Sequence, residues 1–323
     1  MSHDEKYNEK AFDEIDISTE TIIGKTNAKI NISELYKMLP CVDYKTEPKK
    51  RGRRPKDEKK VEPPTLNEGD ITYLEFEDET RGTPPKSKKK KSASSDSNKK
   101  SRAKNGGNDN YFRNSLTIVM WCGGKLINFK ISKNGKFQFT GCKNNNSAHL
   151  CLIQIVKYVM ENPNHKKILS LPPQTNMEVI YITVMANINF SLGFCVNKEN
   201  LDDYVNKNTH YYSLLETNFG YTGVNIKIPL PNLNDVPIVK MTLDRQTNEW
   251  SKMVMSYQEY YTLLDEKEKA KEKAKVRYNT FLVFQSGNVI LSSPHKECMR
   301  NTYHEFLRII QTSREFIEEK IKA

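Results

Sequence analysis

The side chains in this sequence whose types and spacing could do chemistry suit binding better than bond-breaking. In YNTFLVFQSGNVILSS, residues 278–293, two apolar runs flank a turn at Gln285-Ser286-Gly287. Alternation along extended backbone sends Leu282, Phe284, Ile290 and Ser292 to one side and Phe281, Val283, Val289 and Leu291 to the other, so both sides are apolar. An antiparallel sheet with helices on one side should be polar on its free side, so something else has to cover this one. The plain alternative is that a Phe-rich hairpin is only core. A second group is basic: Lys49–Lys56 concentrates cations, and Lys86–Lys91 suits nonspecific phosphate binding. Nothing points to catalysis, because the acidic residues are scattered, the histidines have no nucleophile beside them and no Gly-rich phosphate loop occurs. The cysteines at 41, 122, 142, 151, 195 and 298 form no C-x-x-C pair and read as reduced thiols, so neither metal nor cofactor is expected.

The elements that must position these groups occupy only part of the chain. A hydrophobic content of 37% in 323 residues is low for a wholly packed protein, so part of it should lack a core. The net charge of +11 looks like a nucleic-acid signal, but residues 45 to 104 hold 19 Lys+Arg against 11 Asp+Glu and carry +8 of it. Bulk charge on the remainder is therefore not the argument for nucleic acid. No apolar run is long enough to span a bilayer and MSHDEKYNEK is too charged for a signal peptide, so a soluble intracellular protein without a membrane partner is expected.

Residues 1–15 read as a loose acidic tail. Residues 16–44 hold a strand at Thr21–Ile23 and a short helix capped by Ser33 and ended by Pro40. Residues 45–110 are a basic, low-complexity insertion with one possible strand, Ile71–Phe76. Residues 111–170 resume with a buried strand, Leu116–Cys122, then LINFKIS, a turn at Lys133-Asn134-Gly135, KFQFTG, and an apolar helix, Ala148–Met160, capped by Ser147. In 171–228 a long strand, Val179–Leu192, precedes a short helix at ENLDDYV and a strand at Val224–Ile228. Residues 229–277 are a second insertion, Pro-rich at first and then a charged helix at DEKEKAKEKAKV whose plain reading is a solvated face. Residues 278–323 give the hairpin above and then a helix opened by Ser293-Pro294.

This order repeats: strand, short helix, strand, hairpin and long helix occur twice, with Gly135–Gly141 in register with Gly287–Ser293. KISKNGKFQFTG and LVFQSGNVILSS, together with ANINFSLGFCVNKENLDDYV and HYYSLLETNFGYTGVNIKIP, resemble the TATA-box-binding protein family over about two-thirds of the chain, outside the two insertions. The resemblance implies an α+β saddle: two pseudo-symmetric repeats forming one curved ten-stranded antiparallel sheet, helices on the convex side. Its concave side would lie on the minor groove of double-stranded DNA while general transcription factors and the RNA polymerase machinery dock on the helices. In that family, Phe side chains pushed between base steps kink the duplex. A monomer in the nucleus, or in a viral factory or virion, is implied, and the Lys- and Asn-heavy composition suits a large DNA virus with an AT-rich genome.

Carried over by position, Phe219 and Phe284 are the wedges of the second half, with Leu282, Ile290, Ser292 and Asn187 beside them. The first half departs from the family. Phe112 stands for its first wedge, but Ser132 occupies the place of the second, and the Asn is replaced near Thr19. Phe129, Ile131, Phe137 and Phe139 fall on the helix side, leaving Lys130, Ser132, Lys136, Gln138 and Thr140 on the concave side. An asymmetric saddle is expected, with wedges in the second half and phosphate or groove-edge contacts in the first. Arg51-Gly52-Arg53-Arg54-Pro55 resembles an AT-hook with one extra Arg, which would make Arg51, Arg53 and Arg54 a basic arm; a nuclear-targeting run fits equally well. Two other functions fit the residues: a DNA-packaging or scaffold protein that keeps the fold without specificity, and an enzyme using the fold as an appendage.

Overall fold

The computed structural model describes residues 12–44, 65–84, 114–216, 223–230 and 232–319. Arg51, Arg53, Arg54, Lys86–Lys91, Phe112 and Phe219 lie outside the described residues. In chain order the elements begin with β1 (Ile17–Thr26), β2 (Lys29–Ile30), α1 (Ile32–Met38), β3 (Ile71–Phe76) and β4 (Glu79–Gly82). There follow β5 (Ser115–Cys122), β6 (Lys125–Ser132), β7 (Lys136–Cys142), α2 (Asn145–Met160), α3 (His165–Ile168), β8 (Leu169–Ser170) and β9 (Met177–Ser191). Then come α4 (Lys198–Asn208), β10 (Tyr212–Glu216), β11 (Gly223–Pro229), β12 (Pro237–Leu243), β13 (Trp250–Ser256), α5 (Tyr257–Thr262) and α6 (Glu266–Lys273). The chain closes with β14 (Tyr278–Phe284), β15 (Asn288–Ser293) and α7 (Arg300–Ile317). This is an α+β protein whose strand pairs of known register are antiparallel. Among the described residues no helix is long and apolar enough to cross a membrane.

Two compact units share these elements, one from residues 23–179 and 242–251, the other from 1–22, 180–241 and 252–323. In the second, here the carboxy unit, the strands run β10-β11-β14-β15-β9. Val224, Ile226, Phe281, Val283, Val289, Leu291, Ala186 and Ile188 alternate onto one face and are buried with α4 and α7. Helix α7 supplies Tyr303, Phe306, Leu307, Ile310 and Ile317, the three- and four-residue spacing of one helical stripe, and Phe306 stacks on Phe281 at 4.2 Å. In the amino unit β7-β6-β5-β3-β4 run in order. Its core takes Phe129, Ile131, Phe137 and Phe139 from the hairpin and Ala148, Cys151, Leu152, Ile155 and Val159 from α2.

Each unit is tied together by the same local connections. In the amino unit the Thr26, Ile30 and Asn31 N–H groups donate to the carbonyls of Gly135 (3.0 Å), Lys133 (2.9 Å) and Ile168 (2.8 Å). In the carboxy unit Leu192, Val196 and Asn197 donate likewise to Gly287 (2.8 Å), Gln285 (2.8 Å) and Ile317 (2.7 Å). Asn31 and Asn197 each cap the short helix that follows, accepting from the N–H of the residue three further on. The turn glycines are fixed by the same crowding. At Gly135 (φ 70°) an added Cβ would lie 2.1 Å from the Ala28 carbonyl oxygen, and at Gly287 (φ 77°) 2.0 Å from that of Phe194.

Several local expectations are corrected. Asn31 caps α1 in place of Ser33, and Asn144 caps α2 in place of Ser147, whose own N–H is the donor. Ser293 opens no helix: it is buried at the end of β15, and α7 begins only at Arg300, after a 3-10 turn at Lys296–Met299. The 229–277 insertion contains the strands β12 and β13 before its helices, and the 45–110 insertion contains β4 as well as β3.

The reading of residues 1–15 as a loose tail fails at its end. Phe12 is buried against the Tyr303 ring at 5.4 Å, beneath the cations of Lys296 (5.4 Å) and Arg300 (4.9 Å), and the Asp13 carboxylate takes both arms of Arg300 at 2.6 and 3.0 Å. Phe12→Ala should therefore cost roughly 3–5 kcal/mol of unfolding free energy in urea melts, by loss of buried area and of cation–π contacts. Asp13→Asn should cost much less, because that pair is open to solvent.

Candidate nucleic-acid interface

The face of the carboxy sheet opposite its helices is built by register. Leu214 pairs with Asn225, Asn225 with Leu282, Leu282 with Ile290 and Ile290 with Asn189, so five strands place these side chains in one transverse row. The next row runs Tyr212, Lys227, Thr280, Ser292, Asn187. Phe284 lies across from Gly223, where an added Cβ would come within 2.8 Å of Leu282 Cδ1, so Leu282 leans into the space that glycine leaves. Leu282, Phe284 and Ile290 are each half-buried, whereas their helix-side neighbours Phe281, Val283, Val289 and Leu291 are fully buried. Tyr212 is 60% exposed and Leu214 49% exposed. The face is thus an apolar strip with amides at its margins, and Lys227 is the single charge in the two rows.

Leu282, Ile290, Ser292, Asn187 and Phe284 are brought to this one face. Asn187 Oδ1 is shielded from solvent without a hydrogen-bond partner among the described residues, while its main-chain carbonyl accepts from Ser18 Oγ at 3.0 Å. Asn189 and Asn225 lie on the same face, and neither is singled out by the sequence. Their signal is phase: each is a polar residue between apolar neighbours that turn out buried, Ile188 beside Asn189, and Val224 and Ile226 flanking Asn225.

In the amino unit the first of the corresponding rows is polar and the second is mixed, with Tyr73 and Val119 buried. Glu75 pairs with Thr117, Thr117 with Lys130 and Lys130 with Gln138; Tyr73, Val119, Asn128 and Thr140 form the next row. Thr140 Oγ1 donates to the Asn128 carbonyl at 2.9 Å, and Ser132 Oγ donates to Asn134 Oδ1 at 2.5 Å and to the Lys136 carbonyl at 3.1 Å. Lys136, Gln138 and Thr140 are exposed, alternating with buried Phe137 and Phe139. With Gly135 and Gly287 equivalent, Lys130, Ser132 and Gln138 take the places of Leu282, Phe284 and Ile290. The paired connections of Thr26 with Leu192 and of Asn31 with Asn197 likewise place Thr21, and not Thr19, as the counterpart of Asn187.

The chain is similar to a viral protein. Uncharacterized protein 335L of Invertebrate iridescent virus 6 is 28% identical over 220 residues, which are 65% of this chain and 63% of that relative, so the match spans less than two-thirds of the relative's length. Among solved structures, Methanococcus jannaschii TBP aligns with 93% of this chain and 99% of its own, at 13% identity and a TM-score of 0.42. No protein-family model matches the chain.

Proposed function

We propose that the protein is a non-enzymatic, TATA-binding-protein-like factor whose carboxy unit lays its open face on the minor groove of AT-rich duplex DNA and bends it for transcription initiation. The observation that carries the reading is the row Leu214–Asn225–Leu282–Ile290–Asn189, an apolar strip with amides on the side of the sheet that the helices leave free. A minor groove over A·T pairs offers only acceptors on its floor, which suits asparagine N–H donors, and its deoxyribose walls suit aliphatic side chains. Phe284 is the wedge at one end of the strip, unstacking a pliable step such as TA in the manner the family resemblance implies. The amino unit, with Lys130, Lys136 and Gln138 at the corresponding places, contributes phosphate and groove-edge contacts. In this reading the two units are repeats of one ancestral half, the recurring backbone connections being the trace of that duplication, and the helix faces receive the transcription machinery.

The polar amino-unit face favours one other reading, a packaging protein that binds any duplex. A salt titration on AT-rich and GC-rich duplexes separates the two. Groove reading gives at least about a tenfold preference for AT-rich DNA that persists as salt rises, whereas packaging gives equal affinities that fall together by about 0.9 log unit per phosphate contact for each tenfold rise in salt.

A further inference from the structure

Within the carboxy unit, the end of β11 and the segment after it, helix α5 and the end of α6 line a cavity of about 550 Å³. Its walls include Leu230, Leu233 and Val276 and the rings of Tyr257 and Tyr261. Its polar lining consists mainly of donors. Arg277 is held in place by one nitrogen only: Nη2 donates to Glu272 Oε2 at 2.5 Å and to the Tyr257 hydroxyl at 3.1 Å, while that hydroxyl donates to the same carboxylate at 2.7 Å. The guanidinium lies 5.7 Å from the Tyr257 ring centre. Lys275 closes on Glu272 from the other side. Burial pushes the Glu272 carboxyl up, and the hydrogen bonds from Lys275, Tyr257 and Arg277 more than reverse this, leaving it below the usual carboxylate range and ionised.

That network fixes the arginine through Nη2 and leaves Nε and Nη1 as separate donors. Among the described residues Arg277 Nε and Nη1, the Lys273 ammonium and the Gln258 amide have no hydrogen-bond partner, although all of them line the cavity. Three cations stand against one carboxylate, so the lining favours a ligand with negative charge, and the N–H groups that Arg277 keeps at Nε and Nη1 can each give a single charge-assisted hydrogen bond to a phosphate oxygen. Aromatic and aliphatic walls call for a flat apolar body on the same molecule, and the volume is that of an ordinary small-molecule site. We infer that this cavity binds a nucleoside monophosphate unit, its base against Tyr261 and Leu230 and its phosphate on Arg277 and Lys273. The unit is either a free nucleotide or the end of a single strand. The proposal does not depend on the groove-binding assignment.

The test is calorimetric titration of the full chain with the four ribonucleoside monophosphates, inorganic phosphate and a ten-nucleotide oligothymidylate. At least one monophosphate should bind about tenfold more tightly than inorganic phosphate, and Arg277→Gln and Lys273→Ser should each weaken it by about tenfold. Lys273 is exposed and holds nothing else in place, so Lys273→Ser keeps the test open if Arg277→Gln does not fold. An oligonucleotide that binds more tightly still, with the same loss in Lys273→Ser, assigns the site to a strand end; equal or weaker binding than the monomer assigns it to free nucleotide. No binding by any monophosphate at millimolar concentration, or binding indifferent to both substitutions, overturns the proposal.

Discussion

Phe284→Ala, or Leu282→Ala combined with Ile290→Ala, should lower affinity for an AT-rich duplex by about tenfold or more while leaving the protein folded. Fully desolvating a Leu, Ile or Phe side chain contributes about 1.5–3 kcal/mol, and these side chains are already mostly covered in the free protein, so the paired truncation removes roughly 1–2 kcal/mol of binding, and losing a wedge also withdraws the support for the kink. Stability should move much less than in Leu291→Ala, whose side chain is fully buried and whose loss should cost about 2–5 kcal/mol. Lys130→Ala and Gln138→Ala, at the matching places of the amino unit, should reduce affinity only a few-fold and reduce the salt slope by about one unit at most. Binding assays with urea melts on the same variants check the whole set. Equal losses from the two units would show that the apolar strip is not the reader.

The second large effect concerns Glu20, a carboxylate on β1 that is 5% exposed. Burial pushes its carboxyl up from the usual 4.5 to about 7. The folded protein therefore holds this proton more tightly than the unfolded chain does. At pH below about 4.5 both states are protonated and the group costs nothing. As pH rises toward 7 the unfolded chain releases the proton first and stability falls; above about 7 the penalty is constant, at roughly 3 kcal/mol. Glu20→Gln keeps the shape of the protonated group without the charge. It should match the parent below about pH 4.5 and exceed it by roughly 3 kcal/mol at pH 8, as read from urea melts from acid to pH 8. Parallel stability curves for the two proteins would show that Glu20 is ionised without cost.

The parts of the fold that could be read from sequence are those where burial writes a period. The β14–β15 hairpin alternates cleanly between buried and half-buried residues, and β3 was bounded at Ile71 and Phe76 because Ile71, Tyr73 and Leu74 are a short apolar run amid charge. The β12–β13 pair was not legible: Lys252, Met253 and Val254 are exposed in succession, so β13 has no alternation to see. Helix starts were misplaced where the sequence offers several equivalent caps. Asn144 to Ser147 is a run of four competent residues, and only the geometry at the end of β7 decides that Asn144 accepts. Ser293-Pro294 carries a helix-start signal, but strand pairing with Ala186 holds Ser293 in β15 and the signal is overruled. The candidate site divided in the same way. Leu282, Phe284 and Ile290 followed from phase alone, while Asn225 and Asn189 joined them only once the register across five strands was known.

The most direct measurement is a methyl-selective NMR titration of the full chain with an AT-rich duplex, following the Leu and Ile methyl groups of both sheet faces. The account predicts that Leu282, Ile290 and Leu214 shift or broaden with the DNA while Ile188, Leu291 and Ile310, on the helix side, stay nearly still. Perturbation confined to the helix side, or to neither face at saturating duplex, would contradict it.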